Sequence, residues 1–205
     1  MNLGFEIKTN AEDITVKRFT KETKITINVN EIKNRNLSIQ TSIPFLDHMI
    51  ETFAWWANIN IRVEIKSENK LTHTIAEDIG ITLGRAILEI YKSKLTLGVE
   101  GCGFARAVLD EAVADAIISI EGRTNSFING ANFENVDGMS GCNLIAFLEG
   151  FSQGCTCTLR INYSGRDPHH CWEAVFRAFG LAIRRALQRN DWRQGTIPGL
   201  KGTLE

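Results

Sequence analysis

The chain has four histidines, and each stands near a carboxylate in the sequence. They lie in Asp47-His48-Met49, His73-Thr74-Ile75-Ala76-Glu77 and His169-His170-Cys171-Trp172-Glu173. Residues three and four apart share a helix face. The spacing therefore predicts that His73 points with Glu77, and that His169, His170 and Glu173 point together. Imidazole plus carboxylate on one face suits a first-row metal ion such as Zn, Mn, Fe or Ni. Taken singly, each residue has a plainer reading. His48 beside Asp47 and His73 are polar residues at helix starts. His169-His170 is a solvated first turn after Pro168, and Glu77 is a surface charge set beside apolar Ile75 and Ile79. Their convergence is what marks them as the working centre.

The elements that must carry these side chains repeat. One segment runs from Phe53 to Val63, then through a short loop to His73-x3-Glu77 and Ile81-Thr82-Leu83-Gly84-Arg85-Ala86-Ile87. A second runs from Phe151 to Ile161, then to His169-x3-Glu173 and Arg177-Ala178-Phe179-Gly180-Leu181-Ala182-Ile183. Glu77 matches Glu173, Gly84 matches Gly180 and Ala86 matches Ala182. This is the pattern of an internal duplication.

Alternating apolar residues predict strands at 24–30, 59–65, 114–120 and 156–163. Helical spacing predicts helices after Pro44 (Phe45, Met49, Ile50, Phe53) and over 75–91, 144–151 and 170–187. Glu121-Gly122-Arg123 and Gly101-Cys102-Gly103 read as turns, and Trp55-Trp56 as core and subunit contact. The fold expected is α+β, with two similar halves, each a small sheet with two helices on one face. Each half is small for an independent core, so the helical layers should pack together. The chain reads as a single domain over 1–205, made of repeats at about 15–98 and 99–195 with a tail at 196–205.

Composition is that of an ordinary globular protein, with 43% hydrophobic and 23% charged residues. A net charge of −1 gives no global field for nucleic acid, although a local anion pocket is compatible with it. No apolar run reaches the length of a membrane span. Met1 to Asn10 lacks the basic start and apolar stretch of a signal peptide. The five cysteines form no C-x2-C pair. A reduced, cytoplasmic protein is expected, with no nucleic-acid or membrane partner.

At these residues the chain resembles the imidazoleglycerol-phosphate dehydratase family of histidine biosynthesis. The matching stretches are Arg18-Phe19-Thr20-Lys21-Glu22-Thr23, Phe45-Leu46-Asp47-His48-Met49, Glu77-Asp78-Ile79-Gly80-Ile81-Thr82-Leu83-Gly84, Leu109-Asp110-Glu111-Ala112 and Glu121-Gly122-Arg123. They continue through the run from Gly165 to Ala178 and Ile197-Pro198-Gly199-Leu200-Lys201-Gly202. Each piece is weak; their number and order are specific.

The resemblance implies the duplicated α+β fold (ribosomal S5 domain 2-like). It also implies a large closed homo-oligomer with metal sites between subunits, two Mn2+ ions per chain, and a small phosphorylated substrate. The lyase reaction it implies dehydrates imidazoleglycerol phosphate to imidazole acetol phosphate. His48, His73, Glu77, His169, His170 and Glu173 match ligand positions. Glu22 matches the acidic residue near the substrate, and Arg123 and Lys201 match phosphate-gripping positions. Glu22, Glu77 and Glu173 are the candidate catalytic carboxylates.

The departures from the family pattern fall at the site. Thr74 stands where the first half should carry a second histidine, and Ala146 stands at the counterpart of His48. Arg160 follows Thr158-Leu159 in place of a histidine. Gly101 replaces an arginine, with Arg106 nearby, and Gly199-Leu200 replaces two hydroxyl residues. One or two metals per chain are therefore expected. Two other functions are compatible with the fold: a divergent relative binding one metal and a different small phosphate or imidazole compound, and a non-catalytic shell-forming metal-binding protein.

Overall fold

The computed structural model describes residues 3–10, 13–68 and 70–204. Two sheets enclose four helices. The first sheet comprises β1 (Gly4–Thr9), β2 (Ile14–Phe19), β3 (Thr23–Asn30), β4 (Ser38–Gln40) and β5 (Asn60–Ser67), in the order β1-β2-β3-β5-β4. The second comprises β6 (Cys102–Leu109), β7 (Ala112–Ser119), β8 (Asn125–Asn129) and β9 (Thr158–Ser164), in the order β6-β7-β9-β8. In each sheet the short strand before the first helix joins parallel, and the other pairings are antiparallel. The second sheet therefore repeats the first, less β1. The helices are α1 (Pro44–Ala57), α2 (Thr72–Lys94), α3 (Gly141–Cys155) and α4 (Pro168–Ala186).

Local chemistry sets the helix ends. Pro44 opens α1, where no backbone donor is needed. The Ser140 hydroxyl accepts from the Cys142 amide at the start of α3. Asp167 caps α4, its carboxylate accepting from the His169 and His170 amides at 2.8 and 3.2 Å. That cap, with Pro168 behind it, puts both histidines in the first turn. Helices α1 and α3 both end on a left-handed residue, Asn58 and Thr156.

The helices pair across the halves, α1 with α4 and α2 with α3. At the α2–α3 contact the backbones nearly touch. A Cβ on Gly80 or Gly84 would overlap the carbonyl oxygens of Phe147 or Phe151, and one on Gly150 or Gly154 those of Glu77 or Ile81. At the α1–α4 contact only Gly180 is so placed, against Phe53. Phe53, Phe147, Phe151, Phe176 and Phe179 fill the centre between the helix pairs and are fully buried.

The structure corrects three local expectations. Cys102 and Gly103 are not a turn: Gly101 alone bends the chain, at φ 77°, and β6 begins at Cys102. Gly103 is small because a side chain there would meet the Ala182 carbonyl on α4. Trp55 is not core. It is 57% exposed, with the Arg35 guanidinium against its ring, while Trp56 is half-buried. The strands β1, β2, β4, β6 and β8 were absent from the sequence reading; most are edge or half-exposed strands with weak alternation.

Candidate metal centre

The α1–α4 contact places three donors together. His48 Nε2 lies 3.3 Å from Glu173 Oε2, and His169 Nε2 lies 3.4 Å from the same oxygen. One ligand atom from each of the three falls within 4.8 Å of the others, and among the described residues only this trio forms such a group. Glu173 follows His169 by one helical turn, and the crossing of α1 over α4 supplies His48. The other Glu173 oxygen, Oε1, accepts from Arg177 Nε and Nη2 at 3.1 and 2.6 Å. Arg177 thus holds one oxygen and leaves the second facing two imidazoles. Burial, the largest single influence on Glu173, works to raise its pKa. Arg177 and then His48 outweigh it, and the carboxyl ionises below its ordinary range. Two imidazole nitrogens and an ionised carboxylate are a chemically apt donor set for a divalent first-row ion, with positions left for water or substrate.

His170 does not join its neighbours. Consecutive helical residues point about 100° apart, and His170 turns to the β6–β7 hairpin. Its Nδ1 lies 2.9 Å from Glu111 Oε2 and its Nε2 lies 3.6 Å from Asp110 Oδ2. The expectation that His169, His170 and Glu173 share a face therefore holds for His169 and Glu173 and fails for His170. Glu111 also accepts from the Arg166 and Asp167 amides at 3.1 and 2.8 Å. The Asp167 amide first, and then His170, bring its pKa down to about 2. The bond to Glu111 in turn raises the pKa of His170.

His73 and Glu77 occupy the pseudo-equivalent corner, where α2 meets α3. His48 and Ala146 stand the same number of residues before the caps Asn58 and Thr156, so Ala146 takes the place of His48. Ala146 is buried. His73 Nδ1 lies 3.3 Å from Asn143 Oδ1, and Asn143 is the counterpart of Phe45, against which His169 packs at 5.4 Å between ring centroids. One chain therefore does not unite the six predicted ligands: three meet at one corner, two stand at the other, and His170 stands apart. Sequence neighbours are also not the spatial partners. Asp47 accepts from the Thr41 amide and hydroxyl at 2.8 and 2.5 Å and serves the loop ahead of α1, not His48.

Glu22 is exposed in the β2–β3 turn and lines a cleft of about 330 Å³ with Lys21, Lys24, Ser42, Lys70 and Ile75. The turn is held to α2 by Asp78, which accepts from Thr23 and pairs with Arg18. Arg123 is exposed after β7, and Lys201 is exposed in the tail. The tail passes over this turn, with the Leu204 backbone against Gly122. Arg106 and Arg160 do not reach the His48 corner. They alternate with buried Ala105, Ala107, Leu159 and Ile161 and so project from the opposite face of the second sheet. There Arg106 pairs with Asp115 at 2.6 and 2.8 Å, and Arg160 lies over Phe127.

No role was assigned from sequence to Arg177, Asp137 or Glu111, although Glu111 lies in the matching stretch Leu109-Asp110-Glu111-Ala112. Glu111 had a detectable signal. Strand register (Phe19 with Lys24, Val108 with Val113) makes it the repeat counterpart of Glu22. Arg177 follows Glu173 by one turn. Asp137 meets His169 only through the fold.

The sequence model for imidazoleglycerol-phosphate dehydratase matches residues 41–183. The chain is similar to proteins of that name from Neisseria gonorrhoeae, at 36% identity over 93% of the chain, and Methanocella arvoryzae, at 35% over 93%. It spans 63% of the length of the Neisseria protein and 98% of the Methanocella protein. Among solved structures, the dehydratase of Pyrococcus furiosus superimposes with a TM-score of 0.78 at 29% identity, covering 91% of this chain and 98% of that one.

Proposed function

The chain belongs to the imidazoleglycerol-phosphate dehydratase family, and on that premise we propose that it is a metal-dependent hydro-lyase converting imidazoleglycerol phosphate to imidazole acetol phosphate. The observation that carries the reading is the convergence of His48, His169 and Glu173, which the family's chemistry needs and a structural role does not. When bound, a divalent ion, taken as Mn2+ from the family, supplies Lewis-acid stabilisation of negative charge on the substrate imidazole. His48 and His169 would hold it through Nε2 and Glu173 through Oε2. His73 and Glu77 would contribute from the second corner, and His170 from its own face, within a homo-oligomer whose sites lie between subunits.

The reaction must remove a carbon-bound proton of low acidity beside the ring and expel a hydroxyl. A carboxylate positioned at that carbon can carry the proton; Glu22, exposed at the rim of its cleft, is the residue proposed for it. Arg123 and Lys201 would grip the phosphate with charge-assisted bonds, which suits the packing of the tail on the Arg123 turn. Cytoplasmic location fits the five free cysteines, and no described helix is long and apolar enough to cross a membrane.

The test is direct. Purified protein with Mn2+ and imidazoleglycerol phosphate should release the keto product. Metal-loaded, assembled protein that releases none would leave the second reading, a relative with one metal and a different small phosphate or imidazole ligand. Ala146 and Asn143 at the second corner favour that alternative.

A further inference from the structure

We propose that Asp137 is a positioning residue that keeps the His169 proton on Nδ1 and so presents Nε2 as a metal ligand; the proposal rests on the metal-centre reading above. Asp137 Oδ2 lies 2.5 Å from His169 Nδ1, on the side of the ring opposite to Glu173. An ionised carboxylate can only accept, and Asp137 at 2.5 Å makes a far shorter contact than Glu173, which stands 3.4 Å from Nε2; in the neutral ring the proton therefore stays on Nδ1 and Nε2 keeps its lone pair. A ligating histidine commonly has such a partner, which fixes its tautomer and orientation.

The geometry is built rather than incidental. Val136 and Met139 exchange both backbone hydrogen bonds, at 2.7 and 3.0 Å, and both are buried. Between them Asp137 and Gly138 adopt positive φ, 48° and 83°. Asp-Gly with both central residues at positive φ is the preferred sequence for this tight two-residue turn. The Asn135 side chain also accepts from the Gly138 amide at 3.0 Å. A turn anchored in the core thus aims the carboxylate at His169, while Phe45 packs on the imidazole. At the other corner His73 Nδ1 faces a neutral amide oxygen, Asn143 Oδ1, at 3.3 Å.

Asp137→Gly removes the carboxylate and keeps the turn; Asp137→Asn restores an acceptor without charge. Two readouts are used. The first is the His169 tautomer in metal-free protein by ¹⁵N NMR. The second is affinity for Mn2+ and for Co2+, the latter with its optical spectrum. The Gly variant should bind about 10–100-fold more weakly, the cost of losing such a partner, and should show Nε2-protonated His169. The Asn variant should recover most of both. Wild-type affinity and an unchanged tautomer in the Gly variant would overturn the proposal and leave the metal centre standing. Failure of the wild-type protein to bind either ion would instead sink the metal-centre reading and the proposal with it.

Discussion

At the α1–α4 corner, His48, His169 and Glu173 converge, with Arg177 and Asp137 behind them. At the α2–α3 corner, built on the same plan, His73 meets Asn143, and buried Ala146 stands at the counterpart of His48. The packing differs in the same direction. Four glycines draw α2 and α3 into backbone contact, whereas the matching positions of α1 and α4 include Thr52, Trp56 and Phe176 and keep a single glycine. Duplication supplied two copies of one frame. At one the three candidate donors and their supporting groups converge, and at the other the two helices pack backbone against backbone.

The largest effect should fall on that packing. Gly154→Ala would push a Cβ into the Ile81 carbonyl and should destabilise the protein by ~3 kcal/mol or more, at the upper end for overpacking. At the matching position, half-buried Trp56, a change to Phe keeps an aromatic ring and should cost under ~1.5 kcal/mol, the ordinary range for a point substitution. Urea unfolding separates the two, and equal costs would erase the contrast.

Next is the ligand set. Glu173→Gln should weaken Mn2+ binding by more than ~100-fold, beyond the loss of an outer partner, and His73→Ala by less than ~10-fold. Calorimetric titration reads both. A larger loss from His73→Ala would make the second corner the principal site.

Ala146→His should sharpen the comparison by partly restoring the depleted corner. Buried Ala146 stands one turn from Gly150, so the metal-free variant should lose about 1–3 kcal/mol. Mn2+ should recover much of it, because an ion that binds only the folded state stabilises that state. Melting with and without Mn2+ tests this; an unchanged difference would mean the imidazole does not reach the ion.

The smallest effect concerns His170. In metal-free protein its raised pKa means that its pairing with Glu111 stabilises fully below the ordinary 6.5 and is lost as pH rises through the raised value. The depressed Glu111 contributes fully above 4.5, and that contribution fades as pH falls towards about 2. Glu111→Gln should therefore cost most between about pH 4.5 and 6.5 and less above that window. A melting difference independent of pH would contradict the pairing.

The duplication, the helix positions and the candidate donors were legible in the sequence because they rest on local rules. His169 and Glu173 share a face by helical spacing, and Asp167-Pro168 marks where α4 begins. Glu111 was half-legible, since the repeat relates it to Glu22 only after strand register is known. Arg177 was open to the same spacing argument and was missed.

The amino-acid sequence by itself determined which residues are candidates for chemistry, where the helices lie and the twofold repetition, because propensity, capping and periodicity act within a few residues. Tertiary structure alone decided which donors meet. His48 reaches Glu173 through the crossing of α1 and α4, His170 turns away to Glu111, and Asp137 comes to His169 from a distant turn. Partners so far apart along the chain are chosen by how helices and loops pack, and no spacing rule spans that distance.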